Sequence, residues 1–86
     1  MASTWHVYMV ECADGTLYSG ITTDVDRRIN EHNDSVKGAK YTRAKRPVSL
    51  VYREQVADRS AASKREYELK QLSREEKLAL IATQIP

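Results

Sequence analysis

Eighty-six residues can build one hydrophobic core but not two, so a single domain over residues 1–86 is expected. The lone cysteine, Cys12, excludes an internal disulfide framework and, inside an apolar run, reads as a small buried hydrophobe in a reducing cytosol. A net charge of +2, no apolar run of membrane-spanning length, and a start, Met1-Ala2-Ser3-Thr4, without the marks of a secretion signal predict a cytoplasmic protein that does not enter a membrane.

In chain order, the aromatic and β-branched run from Trp5 to Cys12 predicts a strand. Ala13-Asp14-Gly15 is a turn signal, and Thr16 to Thr22 predicts the return strand of a hairpin. Thr23 or Asp24 can cap a helix from about Val25 to Asn33. The basic, glycine-containing stretch from Asp34 to Arg46 reads as irregular or as one short turn. Pro47 then opens a third strand, Val48 to Glu54, at a position where proline is tolerated. Asp58 or Ser60 opens a second helix through about Leu72, and Ser73-Arg74-Glu75-Glu76 matches a capping box that starts a third, reaching about Thr83. The order β-β-α-β-α-α implies an α+β domain with a small three-stranded, mostly antiparallel sheet flanked by about three helices.

Charge and polarity are unevenly placed. Lys37, Lys40, Arg43, Lys45 and Arg46 form an acid-free run, while acids gather at Asp24 and Asp26 and between Glu66 and Glu76. The basic run fits a polyanion-binding edge, and equally a solvated loop. On the first helix Arg28 and His32 are four apart and share a face, with Val25 and Ile29 beside them. On the second, Glu66 falls between Ala62 and Leu69 on the stripe that packs inward. A half-buried carboxylate needs a cation or a metal, and an Arg28–Glu66 salt bridge would satisfy it without any catalytic purpose.

Tyr8, Tyr18 and Arg28 recur at intervals of ten, and here the chain resembles the GIY-YIG nuclease family. His6-Val7-Tyr8 stands for the first triplet and Tyr18-Ser19-Gly20 for the second. Arg28 matches the arginine of the following helix, His32 a position often filled by His or Tyr, and Glu66 the metal-binding glutamate. The resemblance runs from about Trp5 to Leu72. It is closest to short, stand-alone bacterial members, which share the Gly38-Ala39-Lys40-Tyr41-Thr42 stretch followed by Arg/Lys-Arg-Pro, and it extends to the catalytic domain of the eukaryotic structure-specific endonuclease subunit. His6 replaces glycine, Ser19 replaces isoleucine, and Ile21 stands where the excision-repair branch carries a lysine. A second DNA-binding domain, carried by many members, is not recognisable.

The resemblance implies an endonuclease, structure-selective in some members, that hydrolyses phosphodiester bonds in DNA. Its catalytic set would be Tyr8, Tyr18, Arg28, His32 and Glu66, with Glu66 holding one Mg2+ or Mn2+ ion. Tyr8 and His32 both stand as the general base. Lys37, Lys40, Tyr41, Arg43, Lys45 and Arg46 would bind nucleic acid, with Tyr41 either stacking on a base or pinning its loop to the domain. The alternatives are a nucleic-acid-binding module with little intrinsic activity that needs a partner, and a protein-interaction domain whose polar residues form a salt-bridge network. A protein partner or a homodimer stays open.

Such a site needs Tyr8 and Tyr18 on one face of the hairpin. A two-residue Asp14-Gly15 loop would put them on opposite faces, because side chains alternate along a strand. A three-residue Ala13-Asp14-Gly15 loop pairs Cys12 with Thr16 and Tyr8 with Gly20, so that the tyrosines share a face. We therefore expect a type I turn with a bulge and a left-handed Gly15. Gly20, opposite Tyr8, would leave room for a substrate phosphate beside the phenol. Five tyrosines and no phenylalanine imply that tyrosine also does core work, with Tyr52 and Tyr67 as examples. His6 reads as a strand-surface residue and Trp5 as a cover over one end of the core.

Overall fold

The computed structural model describes residues 4–34, 37 and 40–84. They form β1 (Trp5–Glu11), β2 (Leu17–Thr22), α1 (Val25–Asp34), α2 (Lys40–Arg43), β3 (Ser49–Val56), α3 (Arg59–Gln71) and α4 (Arg74–Ala82). The expected order holds, and the basic connection supplies the extra one-turn helix α2. The three strands are antiparallel throughout, in the order β2-β1-β3. The Gly38-Ala39 part of the basic stretch, and Met1 to Ser3, lie outside the described residues.

The central strand explains why the sequence shows an unbroken apolar run there. Val7, Tyr8, Met9 and Val10 are all buried, because both faces of β1 are covered. Val7 and Met9 pack with Tyr52, Ala62 and Leu69, joined by Leu80 and Ile81, so α3 and α4 cover one face. Tyr8, Val10, Cys12 and Val48 pack with Tyr18, Ile29 and Leu50 on the other, under α1. Cys12 is thus the small buried hydrophobe expected. In β3 the register slips by one residue, Tyr52 pairing with Met9 and Leu50 with Val10. The extra residue, Val51, lets Val51 and Tyr52 join one core while Leu50 joins the other.

The hairpin turn takes the three-residue form. The Cys12 N–H donates to the Thr16 carbonyl at 2.8 Å, Tyr8 pairs with Gly20, and Gly15 has φ 84°. That positive φ is the conformation for which glycine is suited. Each helix start predicted from a short polar residue has its cap. Asp24 accepts from the Arg27 N–H at 3.0 Å and Asp58 from Ala61 at 2.8 Å. Ser73 and Glu76 exchange reciprocal bonds at 3.1 and 2.9 Å, the capping box read from the sequence.

Tyr52 is buried as expected, but Tyr67 is 67 % exposed. It sits one position past Glu66 on α3, and the inward stripe there is filled by Ala62 and Leu69 instead. Trp5 packs partly buried against the α3 core, with the Arg59 guanidinium 5.8 Å over its ring. Among the described residues, no helix is long and apolar enough to cross a membrane.

Candidate active site

The hairpin register puts Tyr8 and Tyr18 on the face that α1 covers. Tyr18 pairs with Val10, two positions along from the Tyr8–Gly20 pair. Asp24, fixed by its Thr22 contacts, starts α1 directly after β2, which places His32 over both tyrosines. The Tyr8 hydroxyl and His32 Nε2 lie 2.7 Å apart. The Tyr18 ring meets the imidazole edge-on, with centroids 5.5 Å apart. Gly20 makes this packing possible, although not by leaving room for a phosphate as expected. A β-carbon there would lie 2.4 Å from the Tyr8 oxygen, so the space is occupied by the phenol itself.

His32 is fully buried, and its Nδ1 lies 2.7 Å from the Thr42 hydroxyl, which is also fully buried. Burial, reinforced by the charges of Arg28 and Arg46, pushes the imidazole down to about 4. His32 is therefore neutral at physiological pH, with one donor and one acceptor nitrogen. Burial likewise pushes the Tyr8 phenol up to about 12, although Arg28 beside it pulls the other way. Tyr18 is raised too, for the same first reason. Neither phenol is a ready base in the free protein.

Arg28 lies partly exposed, its Nη1 donating to Glu31 at 3.0 Å and to the Lys37 carbonyl at 2.7 Å. The Arg28–Glu66 salt bridge weighed from the sequence does not form. Glu66 instead has Lys70 at 3.8 Å, with its side chain one-quarter exposed. It belongs to α3, on the other face of the sheet, yet its charge reaches both Tyr8 and Tyr18. Three of the five expected residues, Tyr8, Tyr18 and His32, thus meet directly, and Arg28 and Glu66 act on the two phenols through their charges.

The basic run is divided in its duties. Lys40 and Arg43 are exposed on α2. Lys45 pairs with Asp14 at 2.5 Å and lies 4.5 Å over the Tyr41 ring, and it holds the Asp14 carboxyl well below the usual range. Tyr41 stacks on Tyr18 with centroids 5.7 Å apart, so it pins its loop while keeping part of its ring exposed. The Arg46 Nε donates to the His32 carbonyl and its Nη2 to the Glu31 carbonyl at 3.3 Å, closing the last turn of α1.

Sequence reading missed Thr42, Glu31 and Asn33. Thr42 stood inside a stretch valued for its charge, and nothing local marks a buried hydroxyl. Glu31 lies three positions after Arg28, a spacing that does announce a helical ion pair. The Asn33 side chain exchanges two hydrogen bonds with the Val48 backbone, at 3.0 and 2.7 Å, and anchors α1 to the start of β3.

Known proteins supply the context for this geometry. The model of the GIY-YIG catalytic domain matches residues 4–79. A UPF0213 protein of Desulfotalea psychrophila is 66 % identical over 77 residues, 90 % of this chain and 70 % of the relative. A UPF0213 protein of Halobacterium salinarum is 56 % identical over 87 % of this chain and 96 % of its own length. The solution structure of a UPF0213 protein from Bacillus halodurans is similar with a TM-score of 0.60 and 47 % identity, covering 94 % of this chain and 85 % of that one.

Proposed function

The chain belongs to the GIY-YIG catalytic-domain family, a nuclease superfamily, and from that premise we propose a divalent-metal-dependent endonuclease that hydrolyses phosphodiester bonds in DNA. The observation that carries this reading is the buried 2.7 Å contact between Tyr8 and His32, with Arg28 and Tyr18 beside it. A phenol held against a neutral imidazole, next to a guanidinium, combines proton handling with an anion grip.

Glu66 suits a magnesium or manganese ion. It offers hard carboxylate oxygens at a partly exposed position, and its ion pair with Lys70 is long. Among the described residues no cluster of three or more His, Cys, Asp or Glu forms, so water and substrate phosphate oxygens would complete the shell, as such ions commonly require. When bound, the ion supplies Lewis-acid stabilisation of the charge that builds on the phosphate.

The chain's own groups do the rest. Arg28 exchanges Glu31 and the Lys37 carbonyl for a non-bridging phosphate oxygen, using its fixed donor fork. Tyr8, only 1 % exposed, meets water when that exchange opens the site. Its oxygen accepts a proton from the attacking water as its own proton passes to His32 Nε2, so free tyrosinate never accumulates. A phosphorus–oxygen bond forms to the water oxygen, the bond to the leaving oxygen breaks, and that oxygen takes a proton from solvent. His32, whose imidazolium is disfavoured by burial, then returns its extra proton through Tyr8 to solvent. Tyr8 and His32 thus act as one relay, where the sequence left a choice between them. Lys40, Arg43 and the exposed part of Tyr41 would hold the flanking strand.

The test is cleavage of labelled single-stranded, duplex and branched DNA with magnesium or manganese, beside a Glu66→Ala protein. Cutting that disappears with the substitution and with chelator supports the reading and ranks the substrates. Salt-sensitive DNA binding without cutting in either protein would replace it with a binding module that needs a partner.

A further inference from the structure

Three polar side chains are buried in a row: Tyr8 at 1 % exposure, His32 at 0 % and Thr42 at 0 %. Both links are 2.7 Å long. A neutral imidazole carries a single ring proton, so the row has two possible settings. Either Nε2 carries that proton and points it at Tyr8, or Nδ1 carries it and points it at Thr42. The two are not equivalent for the Tyr8 oxygen.

The chemistry of the two hydroxyls decides between them. A phenol is a better proton donor and a poorer acceptor than the threonine hydroxyl, and the positive charge of Arg28 beside Tyr8 strengthens that donation. The Tyr8 proton therefore points at His32 Nε2, 2.7 Å away. Nδ1 then carries the ring proton and donates it to the Thr42 hydroxyl. We propose that Thr42 is a positioning residue, which holds His32 in the Nδ1–H tautomer and so keeps Nε2 open to the proton of Tyr8. The relay proposed for phosphodiester cleavage rests on that opening. With the opposite tautomer, Nε2–H would point at the Tyr8 oxygen and leave its proton without an acceptor on His32.

The placement of Thr42 adds a consequence. It lies on α2, between the exposed Tyr41 and Arg43, within the basic connection. One turn of helix therefore offers its exposed side to the solvent and its buried hydroxyl to the imidazole.

The tautomer can be read in the free protein, without substrate or metal. Long-range 1H–15N correlation separates protonated from unprotonated ring nitrogens, and a His6→Gln background removes the only other histidine. We expect His32 as the Nδ1–H tautomer, kept by Thr42→Ser and shifted toward Nε2–H by Thr42→Val. An Nε2–H tautomer in the unsubstituted protein, or an unchanged tautomer in a folded Thr42→Val protein, would overturn the proposal. The first of these needs no variant, so a Thr42→Val protein that fails to fold leaves the proposal decidable. In cleavage assays Thr42→Val should lower kcat roughly 10–100-fold with little change in KM, and Thr42→Ser should restore it. A protein with the expected tautomer but no cutting would count against the nuclease reading and leave the tautomer assignment standing.

Discussion

A β-carbon at Gly20 would stand 2.4 Å from the hydroxyl oxygen of Tyr8 and 2.6 Å from the ring carbon that bears it. The glycine of the second triplet is therefore a packing partner of the tyrosine of the first, across the β1–β2 ladder. Gly20→Ala should push the phenol off His32 and destabilise the domain by about 1–3 kcal/mol, the usual cost of overpacking. Urea denaturation reads the loss, and loss of the His32 contact should show in the imidazole NMR signals. An unperturbed midpoint would mean that the ring has space to retreat.

His32 makes stability depend on pH. Its folded value of about 4 lies below its ordinary 6.5, so between the two the unfolded chain binds more protons and acid favours unfolding. This contribution is complete above pH 6.5 and is lost as pH falls toward 4. It amounts to about 3 kcal/mol, and His32→Gln should flatten the pH dependence in this window. Unfolding midpoints from pH 4 to 8 for the two proteins check it. An equal slope would show that other groups dominate.

Arg28→Lys keeps the charge but loses the fork. If Arg28 grips the phosphate, kcat should fall roughly 100–1000-fold, as for other lost transition-state donors. Stability should change by less than about 1 kcal/mol, since the pair with Glu31 is partly exposed. Single-turnover cleavage at saturating DNA separates this from weakened binding.

The basic run should separate into two classes of variant. Replacing Lys40 and Arg43 together by alanine should weaken DNA binding and lower the slope of log affinity against log salt by about 2. Arg46→Ala should instead cost about 1 kcal/mol of stability, because its guanidinium closes the last turn of α1. Salt titrations beside thermal melts distinguish them. A full salt slope in the double variant would remove α2 from the interface.

Ser73→Ala removes the capping-box bond that the Ser73 hydroxyl accepts from the Glu76 N–H and keeps the one its own backbone N–H donates to the Glu76 carboxylate. The expected loss is about 1 kcal/mol, or a fall in Tm of about 4–8 °C for a domain of this size.

What could be read in the chain itself was local. Turn chemistry at Ala13-Asp14-Gly15, caps at Thr23 or Asp24, at Asp58 or Ser60 and at Ser73, and the apolar run of β1 each follow from a few neighbouring residues. From these the element order follows, and the hairpin register that puts Tyr8 and Tyr18 on one face. The spacing of Tyr8, Tyr18, Arg28, His32 and Glu66 likewise pointed to one family. The tertiary structure decided what depends on partners distant in sequence. Arg28 and Glu66 both have carboxylate and ammonium neighbours within one helical turn, and only packing showed that each takes the local one. Tyr67 follows the same residue pattern as a core tyrosine, but rotation of α3 turned it outward. Thr42 looks like any helix hydroxyl until α2 folds against α1 and buries it on His32. A hydrogen bond between residues ten positions apart costs chain entropy that only the assembled core repays, so sequence periodicity carries no trace of it.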